Sequence, residues 1–236
     1  LKEIWNNCKY EIRIYLGINM NLEQTRFNMV EQQIRTWDVL DPEVIKLLFE
    51  LQREEFVPAS YRTLAFVDME IPLGHGEVML APKMEARILQ ELQVTKADRI
   101  LEIGSGSGYL TSLLAKKGGH VYSVEILPEL KVIAEQNLQA HGITNVTLEV
   151  GDASHGWPEH GPYDVIVLTG STPILPEEFQ KSLAVGGRLF VVEGEAPAMN
   201  ATLITCVKEG AYNRVGLFET CIHALRNTKK IKQFVF

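Results

Sequence analysis

The sequence predicts an α/β fold, a doubly wound and mostly parallel sheet preceded by helices and closed by a C-terminal antiparallel hairpin. Three observations carry this expectation. From Asp98 onward short apolar runs (RILEI, HVYSVE, VTLEV, YDVIVLT, RLFVVE) alternate with helical patterns, and such alternation builds parallel sheets covered on both faces. Before that point the periods are helical, interrupted by a long Pro- and Gly-punctuated stretch. Near the end, ATLITCVKE and NRVGLFETCI flank the turn-like Glu209-Gly210, the pattern of a hairpin at a sheet edge.

Taken in order, residues 1–21 read as an N-terminal extension or arm. The chain opens with Leu, and Met20 offers an alternative start; chain ends are loosely specified, so an extension and an arm packed on the domain both stay open. Residues 22–236 read as one domain, with a helical cap and substrate loop over 22–97 and a cofactor-binding sheet over 98–236. A helix runs from Leu22 through Phe27, Val30 and Ile34. Asp41 suits the N-cap of a second helix and Pro42 its first position, with Val44, Leu47, Leu48 and Leu51 as the apolar face. The stretch from Phe56 to Met84 carries Pro58, Pro72, Gly74, Gly76 and Pro82, too much punctuation for regular elements and the kind of loop that covers a site. A third helix starts near Pro82, with Met84, Ile88, Leu89 and Leu92 facing one way. After RILEI come a helix through Leu110 and Leu114, HVYSVE, and a helix from Pro128 to Ala140 with Leu130, Ile133, Ala134 and Leu138 on one face. Gly142 suits the position past its end. A short helix follows over Pro176–Leu183.

Composition narrows the function. With 23 Lys and Arg against 30 Asp and Glu the net charge is −7, so the chain lacks the positive field that gathers nucleic acid or an anionic membrane. Cys8, Cys206 and Cys221 are scattered, odd in number and without CxxC spacing, which argues against a disulfide framework or a thiolate zinc site. Cys206 and Cys221 lie in apolar strand patterns and are expected to be buried. His75, His155, His160 and His223 are too dispersed for a metal centre. No apolar run reaches the ~18–20 residues of a membrane span. The expectation is a soluble, cytoplasmic protein with no metal, nucleic acid or membrane as partner.

The densest chemical signal is Leu101-Glu102-Ile103-Gly104-Ser105-Gly106-Ser107-Gly108-Tyr109, where a strand gives way to a helix. Glycines there allow a tight turn and close approach of backbone to ligand, at the strand ends where open α/β sheets bind ligands. The spacing is GxGxG, and Tyr109 stands where a dinucleotide fingerprint needs its last glycine, which disfavours a nicotinamide oxidoreductase. Glu125, 21 residues past Gly104, ends the next strand and can accept from both ribose hydroxyls. Asp152 ends the third strand and can accept from an exocyclic amine. Together they describe a nucleoside pocket without a phosphate clamp. Glu102 can orient the turn or meet an ammonium group. Trp157 is expected to pack on the third strand's loop.

This arrangement resembles the S-adenosylmethionine-dependent methyltransferases, and the flanks narrow the resemblance. MVEQQIR, REEFVP, PLGHGE, VEILPEL, GDASHGWPEHGPYDVIVLTG and AVGGRLFVVEG, in this order over about residues 22–194, look like the protein-L-isoaspartate O-methyltransferase family. The resemblance implies a Rossmann-like methyltransferase sheet, S-adenosylmethionine as cofactor, and methyl transfer to the carboxylate of isoaspartyl residues in damaged proteins, by a monomer or small homo-oligomer. The cofactor set it implies is Glu102, Gly104, Ser105, Gly106, Ser107, Gly108, Glu125, Ile126, Asp152, Ala153 and Thr169; the substrate set is His75, Val78, Leu80 and Lys83. Two departures stand out. The family's Thr-Ile-Ser, whose hydroxyls help hold the substrate carboxylate, is Val78-Met79-Leu80 here, so no catalytic residue is assigned. The family's Val-Pro-Leu near the C-terminus corresponds to His223-Ala224-Leu225, and its later Gly-rich stretch to Glu193-Gly194-Glu195-Ala196-Pro197, whose carboxylates would repel an anion if they faced it. Alternatives are a family member with a shifted substrate and a non-catalytic cofactor binder.

Overall fold

The computed structural model describes residues 22–229. The arm over 1–21, with Cys8 and Met20, and the end of the chain from Lys230 lie outside these residues. Residues 22–29 form α1, which widens into a π turn over Val30–Ile34 and tightens into a 3-10 turn over Arg35–Trp37. Val30 and Ile34 are buried, whereas Phe27 is 49% exposed and lies beside Phe49. α2 (Pro42–Glu50) starts where its caps indicate: the Asp41 carboxylate accepts the Glu43 N–H at 2.8 Å, and Pro42 needs no partner for a missing N–H.

The stretch expected to lack regular structure contains a 3-10 turn, Ala59–Leu64, and an antiparallel ribbon of β1 (Ile71–Gly74) and β2 (Glu77–Met79). Gly74, His75 and Gly76 all have positive φ, so the reversal is made by residues that the sequence shows only as punctuation. α3 (Pro82–Leu92) buries Met84, Ile88, Leu89 and Leu92 as its period requires, and also Glu85.

The sheet then follows: β3 (Arg99–Ile103), α4 (Tyr109–Lys117), β4 (His120–Glu125), α5 (Pro128–Ala140), β5 (Val146–Val150), β6 (Tyr163–Leu168), α6 (Glu177–Lys181), β7 (Leu183–Glu195), β8 (Ala198–Lys208) and β9 (Ala211–Thr220). Strand order is β5-β4-β3-β6-β7-β8-β9, parallel from β5 to β7 and antiparallel beyond. Because β7 runs for 13 residues, the expected hairpin is the outer part of a three-stranded meander. Alternate residues of each central strand feed opposite cores: Ile100, Val165 and Val167 one, Leu101, Ile166 and Leu168 the other. Each such side chain contributes ~1.5–3 kcal/mol by leaving water. β9 ends at Thr220, so Cys221 is exposed, against expectation, while Cys206 inside β8 is buried. Ile133 is 39% exposed, turned off the α5 face that buries Leu130, Ala134 and Leu138. Among the described residues no helix is long and apolar enough to cross a membrane.

The chain leaves β3 through β4 to β5 on one side, then returns to place β6 on the other side of β3. Loops at the carboxyl ends of β3 and its neighbours therefore diverge and open a crevice, the expected ligand position for such a sheet.

Candidate active site

A cavity open to solvent occupies that crevice, at the switch point where small-ligand sites of such sheets lie. One wall is the glycine turn. Gly104, Gly106 and Gly108 have φ of +94°, +50° and +80°, backbone that side chains with a Cβ rarely adopt. At Gly104 a Cβ would also stand 2.4 Å from the Thr169 hydroxyl oxygen, which donates to the carbonyls of Ile103 (2.8 Å) and Gly104 (3.0 Å) and so ties the ends of β3 and β6 together.

Glu125 ends β4 and clamps this turn. Its Oε2 accepts the Gly106 N–H at 2.9 Å and its Oε1 the Leu127 N–H at 3.1 Å, with the Ser105 hydroxyl a further donor at 3.4 Å. Each carboxylate oxygen has two lone-pair positions, so Oε1 keeps one for a ligand in the cavity. Asp152 lies beyond β5, its Oδ1 accepting the Ser154 N–H at 3.0 Å and its Oδ2 the Asn227 side-chain amide at 2.8 Å. Burial raises its pKa, but these hydrogen bonds outweigh it and hold the carboxyl below its ordinary value. Trp157 covers the back of this corner: its ring lies 2.5 Å from where a Gly151 Cβ would be, and its Nε1–H donates to Glu149 at 2.8 Å.

The structure brings Gly104, Ser105, Gly106, Ser107, Glu125, Ile126, Asp152, Ala153 and Thr169 to the cavity wall, together with Val78 and Leu80 across from them. It does not bring Glu102, Gly108, His75 or Lys83 there. Gly108 instead lets α4 pack on α5, since its Cβ would meet the Ala134 backbone at 3.2 Å. Lys83 pairs with Asp68 at 2.8 Å and lies 4.0 Å over the Trp37 ring. His75 offers only its carbonyl, to Arg226. Glu193 pairs with Arg214 and Glu195 is exposed; neither faces the cavity. Among the described residues no group of His, Cys, Asp and Glu could hold a metal.

Glu102 lies behind the turn, fully buried, accepting the hydroxyls of Thr111 (2.5 Å) and Ser123 (2.6 Å) through Oε2. Its Oε1 has no partner. Burial pushes its pKa up to about 8 against those two bonds, with Glu125 adding to the rise. Its contribution to stability is therefore full below the ordinary Glu value of 4.5 and lost as pH rises through about 8. Chemical unfolding of the wild type is expected to show stability falling from pH 5 to pH 8, and Glu102→Gln to flatten that fall, Glu85 supplying the remainder. Identical pH dependence in the two proteins would refute this.

Glu77, Glu85, Tyr109 and Arg226 are among the cavity residues that sequence reasoning missed. Glu77 and Arg226 form an ion pair at the rim, Nε to Oε1 at 2.5 Å. Glu85 and Tyr109 are buried inside. Arg53, itself 1% exposed, bonds Glu85, donates to the carbonyls of Ala65 (2.8 Å) and Leu80 (2.6 Å), and lies over the Tyr109 ring. Burial pushes the Glu85 carboxyl up to about 8, with Arg53 pulling the other way. The one signal in the sequence was Glu85 falling on the apolar face of α3, one residue from Met84.

A family model described as Protein-L-isoaspartate(D-aspartate) O-methyltransferase (PCMT) matches residues 24–221. A protein-L-isoaspartate O-methyltransferase of Protochlamydia amoebophila (strain UWE25) is 40% identical over 166 residues, 70% of this chain and 79% of that protein. A protein-L-isoaspartate O-methyltransferase 2 of Pelobacter propionicus (strain DSM 2379 / NBRC 103807 / OttBd1) is 38% identical over 190 residues, 80% and 84% of the two chains. Among solved structures, a protein-L-isoaspartate O-methyltransferase superposes with a TM-score of 0.71 at 28% identity, covering 86% of this chain and 65% of its own. One from Plasmodium falciparum, in complex with S-adenosyl-L-homocysteine, shares the fold with a TM-score of 0.72 at 22% identity, covering 87% and 98%.

Proposed function

Since the chain belongs to the protein-L-isoaspartate(D-aspartate) O-methyltransferase family, we propose that its cavity binds S-adenosylmethionine along the glycine turn and receives a protein carboxylate beneath Val78 and Leu80. The family's activity is S-adenosylmethionine-dependent methylation of isoaspartyl residues in damaged proteins, and the chain is an enzyme of that kind. The observation that carries the site assignment is the convergence of the Gly104–Gly108 turn, Glu125 and Asp152 on one cavity. The acceptor set fits a nucleoside with a positively charged tail: a free lone pair on Glu125 for ribose, Asp152 for an exocyclic amine, and no phosphate clamp. Core residues Met29, Leu48 and Ile88 share one cluster with Ile100 and Val165, which supports reading 22–236 as a single domain. The net charge of −7 and the free thiols of Cys206 and Cys221 among the described residues support a cytoplasmic enzyme without nucleic acid as partner.

S-adenosylmethionine supplies an activated methyl group when bound. An isoaspartyl carboxyl is ionised at neutral pH, so no general base is needed to make it a nucleophile. The protein's task is to align the reacting atoms and exclude water. The β1–β2 ribbon and the buried Leu80 close the acceptor side, and Thr169 fixes the glycine turn opposite.

The test is transfer of a labelled methyl group from S-adenosylmethionine to an isoaspartyl peptide, with the normal aspartyl peptide as control. Base-labile label on the isoaspartyl peptide alone is expected; no transfer at high enzyme concentration would sink the reading. Apolar Val78 and Leu80 favour one second reading, a different protein carboxylate as acceptor, which label on the aspartyl control alone would select.

A further inference from the structure

The charges lining the cavity do not favour a carboxylate. Glu77, Glu85, Glu125 and Asp152 face it, against a single Lys or Arg among the described lining residues, Arg226. Three of those carboxylates are engaged elsewhere: Glu85 with Arg53, Glu125 with the Gly106 and Leu127 N–H groups, Asp152 with Ser154 and Asn227. Glu77 is the exception, since it pairs with Arg226 itself, with His223 Nε2 4.0 Å from its other oxygen.

Arg226 reaches the rim from a segment that is held from both sides. Its neighbour Leu225 donates its N–H to the Ser171 carbonyl at 2.9 Å, and Asn227 on the other side bonds Asp152. The guanidinium bonds Glu77 through Nε and the His75 carbonyl through Nη2. Of its five N–H donors, those on Nη1 have no partner among the described residues. The side chain is 40% exposed, within reach of a protein substrate. Val78, directly after Glu77 on β2, and Leu80 offer no side-chain donor.

We propose that Arg226 anchors the acceptor carboxylate, and that Glu77 both aims the guanidinium and competes with the substrate for it. Nη1 binds one carboxylate oxygen and leaves the other to meet the methyl carbon. Methylation turns the anion into a neutral ester, which ends the ion pair and weakens the bond to the guanidinium, and so favours release of product. Arg226 is thus a specificity-determining residue that replaces side-chain hydroxyls with a cation. The proposal rests on carboxyl methylation as read above, but needs only that the acceptor is a carboxylate.

The experiment is calorimetric titration of the full chain, saturated with S-adenosylhomocysteine, with an isoaspartyl peptide and with its counterpart bearing a carboxamide in place of the free carboxylate. The wild type is expected to prefer the carboxylate at least tenfold. Arg226→Gln should weaken the carboxylate peptide ten- to a hundredfold, leave the carboxamide peptide and S-adenosylhomocysteine within twofold, and so abolish the preference. Arg226→Lys should recover part of it, and Glu77→Gln should tighten the carboxylate peptide. Glu77→Gln leaves Arg226 in place and carries the test if Arg226→Gln does not fold. No preference in the wild type, absence of binding included, overturns the proposal. So does a preference that survives Arg226→Gln, or a loss confined to S-adenosylhomocysteine, which would assign the guanidinium to the cofactor. Methyl transfer measured alongside separates the two readings: a carboxylate preference without transfer keeps the anchor and sinks isoaspartyl methylation.

Discussion

Arg53→Ala is expected to lower the stability of the fold by about 3–5 kcal/mol, the usual loss when one partner of a buried ion pair is removed. Arg53 is 1% exposed and its three contacts are all internal: Glu85 on α3, the Ala65 carbonyl after the 3-10 turn, and the Leu80 carbonyl before α3. Alanine strips all three at once. Two buried carbonyls lose a charged donor, and the buried Glu85 carboxyl loses its partner in an apolar surround. Arg53→Lys keeps the charge but not the planar fork, so it reaches one or two of those acceptors and recovers only part of the loss. Urea unfolding measures this as a lower midpoint at unchanged slope. A loss under about 1 kcal/mol, the scale of exposed ion pairs, would show that the cluster is not the brace the geometry describes.

Glu125→Ala is expected to weaken S-adenosylmethionine by about 1.5–3 kcal/mol, the worth of hydrogen bonds to a charged group, or roughly ten- to a hundredfold in affinity. The reason is double. Alanine removes the acceptor offered to the ribose and also frees the Gly106 and Leu127 N–H groups, loosening the turn that lines the cavity. Glu125→Gln does not rescue it, because one of those N–H groups then faces an amide NH2 instead of an oxygen. Isothermal calorimetry decides the matter; unchanged affinity refutes the assignment.

The parts of this molecule that were legible in the sequence are those written in local chemistry. Asp41-Pro42, Pro82 and Pro128 mark helix starts because a cap or a missing N–H acts within a turn or so of the chain. The strands show as apolar runs, and the glycine turn as residues at positive φ. What could not be read depends on contacts distant in sequence. Glu85 falls on the apolar face of α3, but the partner that accounts for it there, Arg53, lies 32 residues away. Arg226 carries no signal of its own in the sequence, and only the fold brings it back across 149 residues to Glu77. The β1–β2 ribbon was hidden by Pro72 and by Gly74 and Gly76, breakers in a window but turn-makers in a ribbon. Glu102, which the sequence offers as able to orient the turn or to meet an ammonium group, bonds Thr111 on α4 and Ser123 on β4 and is not among the residues lining the cavity.

The seat of Trp157 gives the protein a built-in optical reporter. Its indole rests on Gly151, which with Asp152 and Ala153 forms the corner of the cavity that a nucleobase would occupy. A ligand settling there changes the polarity a few ångströms from the ring, so the emission maximum of the native protein follows occupancy without a dye. Trp37 is stacked under Lys83 away from that corner, and a Trp157→Phe variant, which keeps Trp5 and Trp37, should be silent to the same titration.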